Sequence, residues 1–360
     1  MAVTTGALTQ SNSPTGSANR ELLISADSHV LEPRDLWTSR LPADLRELVP
    51  ALPIRREDKP GATDPADRLG VMQRDTVSME LLYPTYALTQ FAMEDRSLQE
   101  ACFRVYNDWL AEYCAATPGR LIGIPCLSTY DIDQSVKELE RCAAMGLRGA
   151  LVWHVPHPDL PFTSDHYNRL WDAAGELNMP INLHILTGFS YSRDQGARTG
   201  VEIYRGSVGW KLIDAINTMF DFIFHGVLHR YPKLRIVLAE NEIGWVPWVL
   251  QQWDYYARRF GDRTPLPSGI MPSESFNRQV YFTFFNDAVG ARSFQVGWGV
   301  DNCMWSNDFP HGNTTWPNSR EIIARDLAAL PDDVRAKLLR ENVTRLYGLT
   351  VPSPIETVGS

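Results

Sequence analysis

Short apolar runs of strand length alternate along this chain with stretches of helical periodicity, and that alternation limits the fold more than any other feature. Eight runs stand out, at 22–27, 79–83, 121–126, 149–154, 181–184, 235–240, 280–284 and 303–306. Between them, apolar residues recur at helical spacing, as in Leu98, Cys102, Val105, Trp109 and Tyr113. Asp131 or Asp133 can cap the next helix, whose Val136, Leu139 and Ala143 face inward and which Gly146 can end. Further helices are expected from Ser164 to before Pro180, then over 209–230, 244–259, 319–329 and 332–347.

Eight consecutive βα units imply a parallel sheet with helical crossovers. At 360 residues, a closed (β/α)8 TIM barrel is the better expectation than an open doubly wound sheet. No GxGxxG or GxxxxGK[ST] opens any helix, which weakens a nucleotide-binding reading. The expected organisation is a disordered polar tail over 1–20, one barrel domain over 21–350 and a polar tail over 351–360. A Pro- and charge-rich insertion over 31–76 follows the first strand. The first twenty residues lack the basic and apolar regions of a signal peptide.

Composition narrows the function by exclusion. With 34 Lys plus Arg against 43 Asp plus Glu, the net charge is −9. That balance argues against nucleic acid or an anionic membrane as partner. No window approaches the ~20 apolar residues of a membrane span, so a cytoplasmic protein is expected. Five scattered cysteines without CxxC spacing read as reduced core thiols. Lysine is scarce, at Lys59, Lys137, Lys211, Lys233 and Lys337.

Strand periodicity then selects candidate site residues. In the first strand Ser25, Asp27 and His29 share a face; in the fifth, Asn182 and His184; in the eighth, Met304, Ser306 and Asp308. The sixth ends in Glu240, aligned with Ile236 and Leu238. All lie at C-terminal strand ends, where barrel active sites form. Two imidazoles and three carboxylates converging there suit a divalent cation: zinc or iron by the histidines, iron, manganese or magnesium by the carboxylates. Taken singly, an Asp-x-His at a strand end is more often a turn, and His184 more often a satisfied core histidine.

The run Asp27-Ser28-His29-Val30-Leu31-Glu32-Pro33, with Asp35-Leu36-Trp37 after it, resembles the start of the second amidohydrolase family, which contains the aminocarboxymuconate-semialdehyde decarboxylase relatives. The resemblance continues at 180–184, 230–235, Ser306-Asn307-Asp308-Phe309-Pro310-His311, Trp316-Pro317 and 341–348. It implies an amidohydrolase-like barrel with metal held by Asp27, His29, His184 and Asp308. Related barrels bridge two metals through a carboxylated lysine on strand four. No lysine lies between Lys137 and Lys211, so that bridge is excluded.

Family decarboxylases and hydrolases typically carry a histidine on strand six, where this chain has Glu240. The substitution resembles a branch of non-haem di-iron monooxygenases, and a slight preference goes to that reading. It has two irons on Asp27, His29, His184, Glu240 and Asp308, O2 as co-substrate, and an apolar small molecule as the group hydroxylated. The alternative is a mononuclear zinc or manganese hydrolase or non-oxidative decarboxylase, with Glu240 or Asp308 moving the proton. A catalytically dead barrel serving as partner subunit is a third reading, against which the intact ligand set counts. Glu240 could instead pair with a barrel arginine. His154, His225 and His311 are weaker candidates for contact with ligands or substrate. Trp153, Phe189, Tyr191, Trp210, Phe284 and Trp305 could wall an apolar pocket. A homodimer is expected.

Overall fold

The computed structural model describes residues 21–50, 59–189, 200–263, 266 and 269–355. The tail expected over 1–20, the last five residues and Tyr191 lie outside the described residues.

Eight parallel strands form, each at a run expected from the sequence: β1 (Leu23–His29), β2 (Val77–Tyr83), β3 (Leu121–Gly123), β4 (Ala150–Val152), β5 (Ile181–His184), β6 (Ile236–Ala239), β7 (Val280–Phe284) and β8 (Cys303–Trp305). Regular ladders join β1–β2–β3 and β4 through β8. Looser bonds close the ring. Leu151 N donates to Pro125 O at 2.7 Å and Leu127 N to Leu151 O at 2.9 Å, across the β3–β4 gap. At the other seam, beyond β8, His29 N donates to Phe309 O (2.6 Å) and Asp308 N to Asp27 O (3.0 Å). Pro125 has no N–H to give, so β3 cannot extend its ladder. Strands β5 to β8 are buried along their whole length, as strands covered on both faces must be.

A helical layer surrounds the strands: α1 (Pro65–Asp75), α2 (Arg96–Ala115), α3 (Ile132–Ala144), α4 (Asn168–Glu176), α5 (Lys211–Phe224), α6 (Val246–Phe260), α7 (Ala288–Ser293) and α8 (Ser319–Leu327). Asp131, not Asp133, caps α3, accepting from Asp133 N and Gln134 N. The 31–76 insertion is more regular than its composition suggests, holding helices Leu36–Arg40, Ala43–Arg46 and α1. Asp64 caps α1 and Pro65 occupies its first position, a pairing that favours helix initiation. Helix Pro272–Gln279 and α7 were not expected; both are short, with few apolar repeats.

The insertion is tied to the barrel by Arg68 of α1, which is completely buried. Its Nε donates to Glu80 Oε2 of β2 at 2.6 Å and its Nη1 to His29 O at 2.8 Å. The guanidinium lies 4.6 Å from the centre of the Phe309 ring. Inside the barrel, Tyr83 and Tyr347 both donate to Asn182 Oδ1 at 2.6 Å, fixing the floor beneath the strand ends. Among the described residues no helix is long and apolar enough to cross a membrane.

Candidate metal centre

Asp27, His29, His184 and Asp308 are fully buried at the C-terminal ends of β1, β5 and β8. His29 Nε2 stands 3.2 Å from His184 Nε2, 3.4 Å from Asp27 Oδ1 and 3.4 Å from Asp308 Oδ1. His184 Nε2 lies 3.8 Å from Asp27 Oδ1 and 3.6 Å from Glu240 Oε2. Ligand atoms of Asp27, His29 and His184 all lie within 4.8 Å of one another, and so do those of His29, Glu240, Asp308 and His311. The five residues chosen from strand parity therefore meet in space, and His311 joins them.

Backbone geometry aims two of these side chains. Glu240 and Asp308, each just past its strand, have φ of 57° and 53°, the left-handed region that non-glycine residues avoid. Such residues cost about 1–3 kcal/mol each and persist where the surroundings over-determine them. The surroundings here include Thr283 of β7. Its Oγ1 accepts from Glu240 N at 2.8 Å and donates to Asp27 Oδ2 at 3.1 Å, so one hydroxyl holds both carboxylate-bearing residues.

The hydrogen bonds also fix the protons on the histidines. His29 Nδ1 lies 2.7 Å from Pro84 O and His184 Nδ1 lies 2.8 Å from Ile185 O. A carbonyl oxygen can only accept, so both rings carry their proton on Nδ1. Burial depresses the proton affinity of His184, so that ring is neutral and its Nε2 is an acceptor. The two Nε2 atoms therefore face each other among three carboxylates. Burial also raises the Asp27 carboxyl above its ordinary range, opposed chiefly by His184. Asp27 Oδ1 accepts no hydrogen bond. Three carboxylates buried together are destabilised unless positive charge offsets them, and two imidazoles with carboxylates form a fitting donor set for a divalent metal.

The weaker candidates separate. His311 belongs to the cluster: Nδ1 is 2.9 Å from Asp308 Oδ1, Nε2 is 3.3 Å from Thr85 Oγ1, and its ring lies 3.9 Å from the His29 ring. His154, just beyond β4, is buried, and burial pushes its imidazole down to about 3. His225 corrects the expectation. It ends α5, its side chain is 49% exposed, and it lies 3.5 Å from Asp221, outside the cluster. Among the described residues the ionic neighbour of Glu240 is His184, not an arginine. Of the proposed aromatic wall, Trp153 and Phe189 pack edge to face, with ring centres 5.8 Å apart. Phe284 turns instead to Phe294, at 5.2 Å.

Sequence reasoning missed Thr283, Arg68 and Lys59, whose Nζ donates to His311 O at 3.1 Å. Thr283 was within reach, because it is the polar residue near the end of an otherwise apolar strand. The other two come from the insertion, where no periodicity reports which side chain turns inward.

The sequence profile of the family described as Amidohydrolase matches residues 24–349. The chain belongs to that family.

Among its relatives, the gamma-resorcylate decarboxylase of Rhizobium sp. (strain MTP-10005) is 25% identical over 276 residues, covering 72% of this chain and 79% of that protein. Among solved structures, the 5-carboxyvanillate decarboxylase of Sphingomonas paucimobilis superposes with a TM-score of 0.71 at 23% identity, over 91% of this chain and 99% of that one. The dihydroxybenzoic acid decarboxylase of Polaromonas sp. JS666, with bound manganese and the inhibitor 2-nitroresorcinol, gives 0.70 at 19% identity, over 91% and 97%. These likenesses show the amidohydrolase barrel. They also correct the preference for an oxygenase, because the relatives are decarboxylases. The two-iron centre and O2 belonged to that oxygenase reading and find no support among these relatives.

Proposed function

We propose that this amidohydrolase is a metal-dependent, non-oxidative decarboxylase of a small carboxylic acid, with hydroxylated aromatic acids as the substrate class. The observation that carries the proposal is the inward-facing acceptor shell of Asp27, His29, His184, Glu240 and Asp308, in a chain whose relatives remove CO2 from benzoates. Asp27, His29, His184 and Asp308 are the proposed ligands, with Glu240 as a further carboxylate. A divalent ion such as manganese or zinc, held there, would polarise the substrate's oxygens and offset the buried negative charge.

The protein's own groups then need to supply one proton. In ArCOO⁻ + H⁺ → ArH + CO2, the ring carbon gains a proton, the C–C bond breaks, and its electron pair returns to the ring. Asp308 is placed to deliver that proton. His311 Nδ1, 2.9 Å from Asp308 Oδ1, can restore it, because its side chain keeps 11% exposure.

The test uses manganese-loaded protein under argon with 2,6-dihydroxybenzoate, 5-carboxyvanillate and related hydroxybenzoates, following CO2 and product arene. Stoichiometric CO2 without oxygen consumption is expected. Hydrolysis of an ester or lactone, with no CO2 from any of these acids, would overturn the reading.

A further inference from the structure

We propose that Lys211 receives the substrate's carboxylate at the barrel mouth, making it the residue that selects acids over their decarboxylated products. This deepens the decarboxylase reading and rests on it for the identity of the anion.

Placement comes from the helix. The buried stripe of α5 includes Asp214, Ala215, Thr218, Met219 and Phe222. Lys211 precedes Asp214, Ala215 and Thr218 by three, four and seven residues, so it shares their face. That face is anchored to the strand ends: Thr218 Oγ1 donates to His154 O, just past β4, at 2.9 Å. Helices of such a barrel run opposite to the strands, so the start of α5 stands on the C-terminal side, about 10 Å of helix rise above that bond. Lys211 is thus on the inward stripe at the level of the mouth. Residues Arg205–Trp210, immediately before it, form a π-helical segment, a local departure often found beside functional sites.

Electrostatics agree with this placement. The Lys211 ammonium lies near enough to the buried His154 imidazole to oppose its protonation. Among the described residues that ammonium makes no ion pair or hydrogen bond. Two other described cations near the strand ends are already engaged. Arg68 is bonded to Glu80 and His29 O, and Lys59 donates to His311 O. An acid entering a mouth lined by Asp27, Glu240 and Asp308 meets repulsion, and a lysine held on the opposite wall offsets it while leaving an uncharged phenol unaffected.

Lys211→Met and Lys211→Arg test the assignment through binding and turnover together. Affinities of manganese-loaded protein for 2,6-dihydroxybenzoate and for resorcinol, its decarboxylated counterpart, are measured by calorimetry. The expected result is a loss of about ten- to a hundredfold for the acid in Lys211→Met, with resorcinol unchanged and Lys211→Arg close to the parent protein. In turnover, KM should rise by a similar factor and kcat much less. Equal losses for acid and phenol, an unchanged acid affinity, or a parent protein that does not prefer the acid would each overturn the assignment. Lysine-dependent binding of the acid without CO2 release would uphold the anion site and overturn the decarboxylase reading alone.

Discussion

His29 and His184 bring their Nε2 atoms within 3.2 Å of each other, each ring locked by a carbonyl at its far nitrogen. Burial opposes a second proton on His184, and the carboxylates of Asp27, Asp308 and Glu240 crowd the pair. A cation held by these rings and carboxylates would offset that buried negative charge, so metal binding should stabilise the fold.

Removing one ring should uncouple them. With manganese or zinc in hundredfold excess over Kd, the parent protein gains about 2.7 kcal/mol, which appears as a rise in melting temperature. His184→Ala should retain the fold, lose most of that rise and bind substoichiometric metal. Elemental analysis and paired melting curves check this; an undiminished metal-induced shift in the variant would refute His184 as a ligand.

Thr283 tests the layer behind the ligands. Thr283→Val keeps shape but leaves Glu240 N and Asp27 Oδ2 without the shared hydroxyl. A buried group so deprived costs about 1–3 kcal/mol, and weakening a ligand's support typically costs about 10–100-fold in metal affinity. A lower urea midpoint together with weaker metal binding is expected. A lower midpoint alone would make Thr283 purely structural.

Most of the barrel was legible in the sequence because a strand buried on both faces must be an apolar run. Residues 181–184 and 280–284 appear as β5 and β7 without adjustment. Parity along those runs also brought out Asp27, His29, His184, Glu240 and Asp308, since a polar side chain at a strand end breaks the apolar pattern. Arg68 and Lys211 break no pattern. Each sits in a helix whose inward face is set by packing from elsewhere, and a long cationic side chain reads as solvated until its neighbours are known. His225 shows the converse: it sits half-exposed at the end of α5, the ordinary place for a histidine on the helix before strand six.

A variant at His311 would separate proton supply from metal binding. The His311 ring stacks on His29 at 3.9 Å and touches Asp308 through Nδ1. His311→Phe preserves the stacking and removes the proton carrier. A general acid–base partner contributes about 10²–10⁴-fold, so kcat for decarboxylation should fall by about that factor, with metal content retained. Unchanged kcat in a metal-replete variant would exclude the relay.

Asp75 supplies a pH prediction away from the metal. At the end of α1 its carboxylate accepts from Ser319 N at 3.0 Å and Ser319 Oγ at 2.5 Å, yet burial, with the nearby Glu80 charge adding to it, raises it from 3.8 to about 6. A carboxyl whose folded value exceeds its unfolded value holds its proton more tightly in the native state. Its contribution is therefore fully present below pH 3.8 and is lost as pH rises through about 6. Ionisation at neutral pH then costs on the order of 3 kcal/mol. Asp75→Asn cannot ionise, and its amide can still accept from Ser319 N and donate to Ser319 Oγ. The variant should be more stable than the parent at pH 7.5, by up to about that amount, and the advantage should vanish near pH 4. Urea midpoints across that range, measured on both proteins, report the difference directly. A difference between them that does not change with pH would mean that Asp75 is ionised in the fold at little cost.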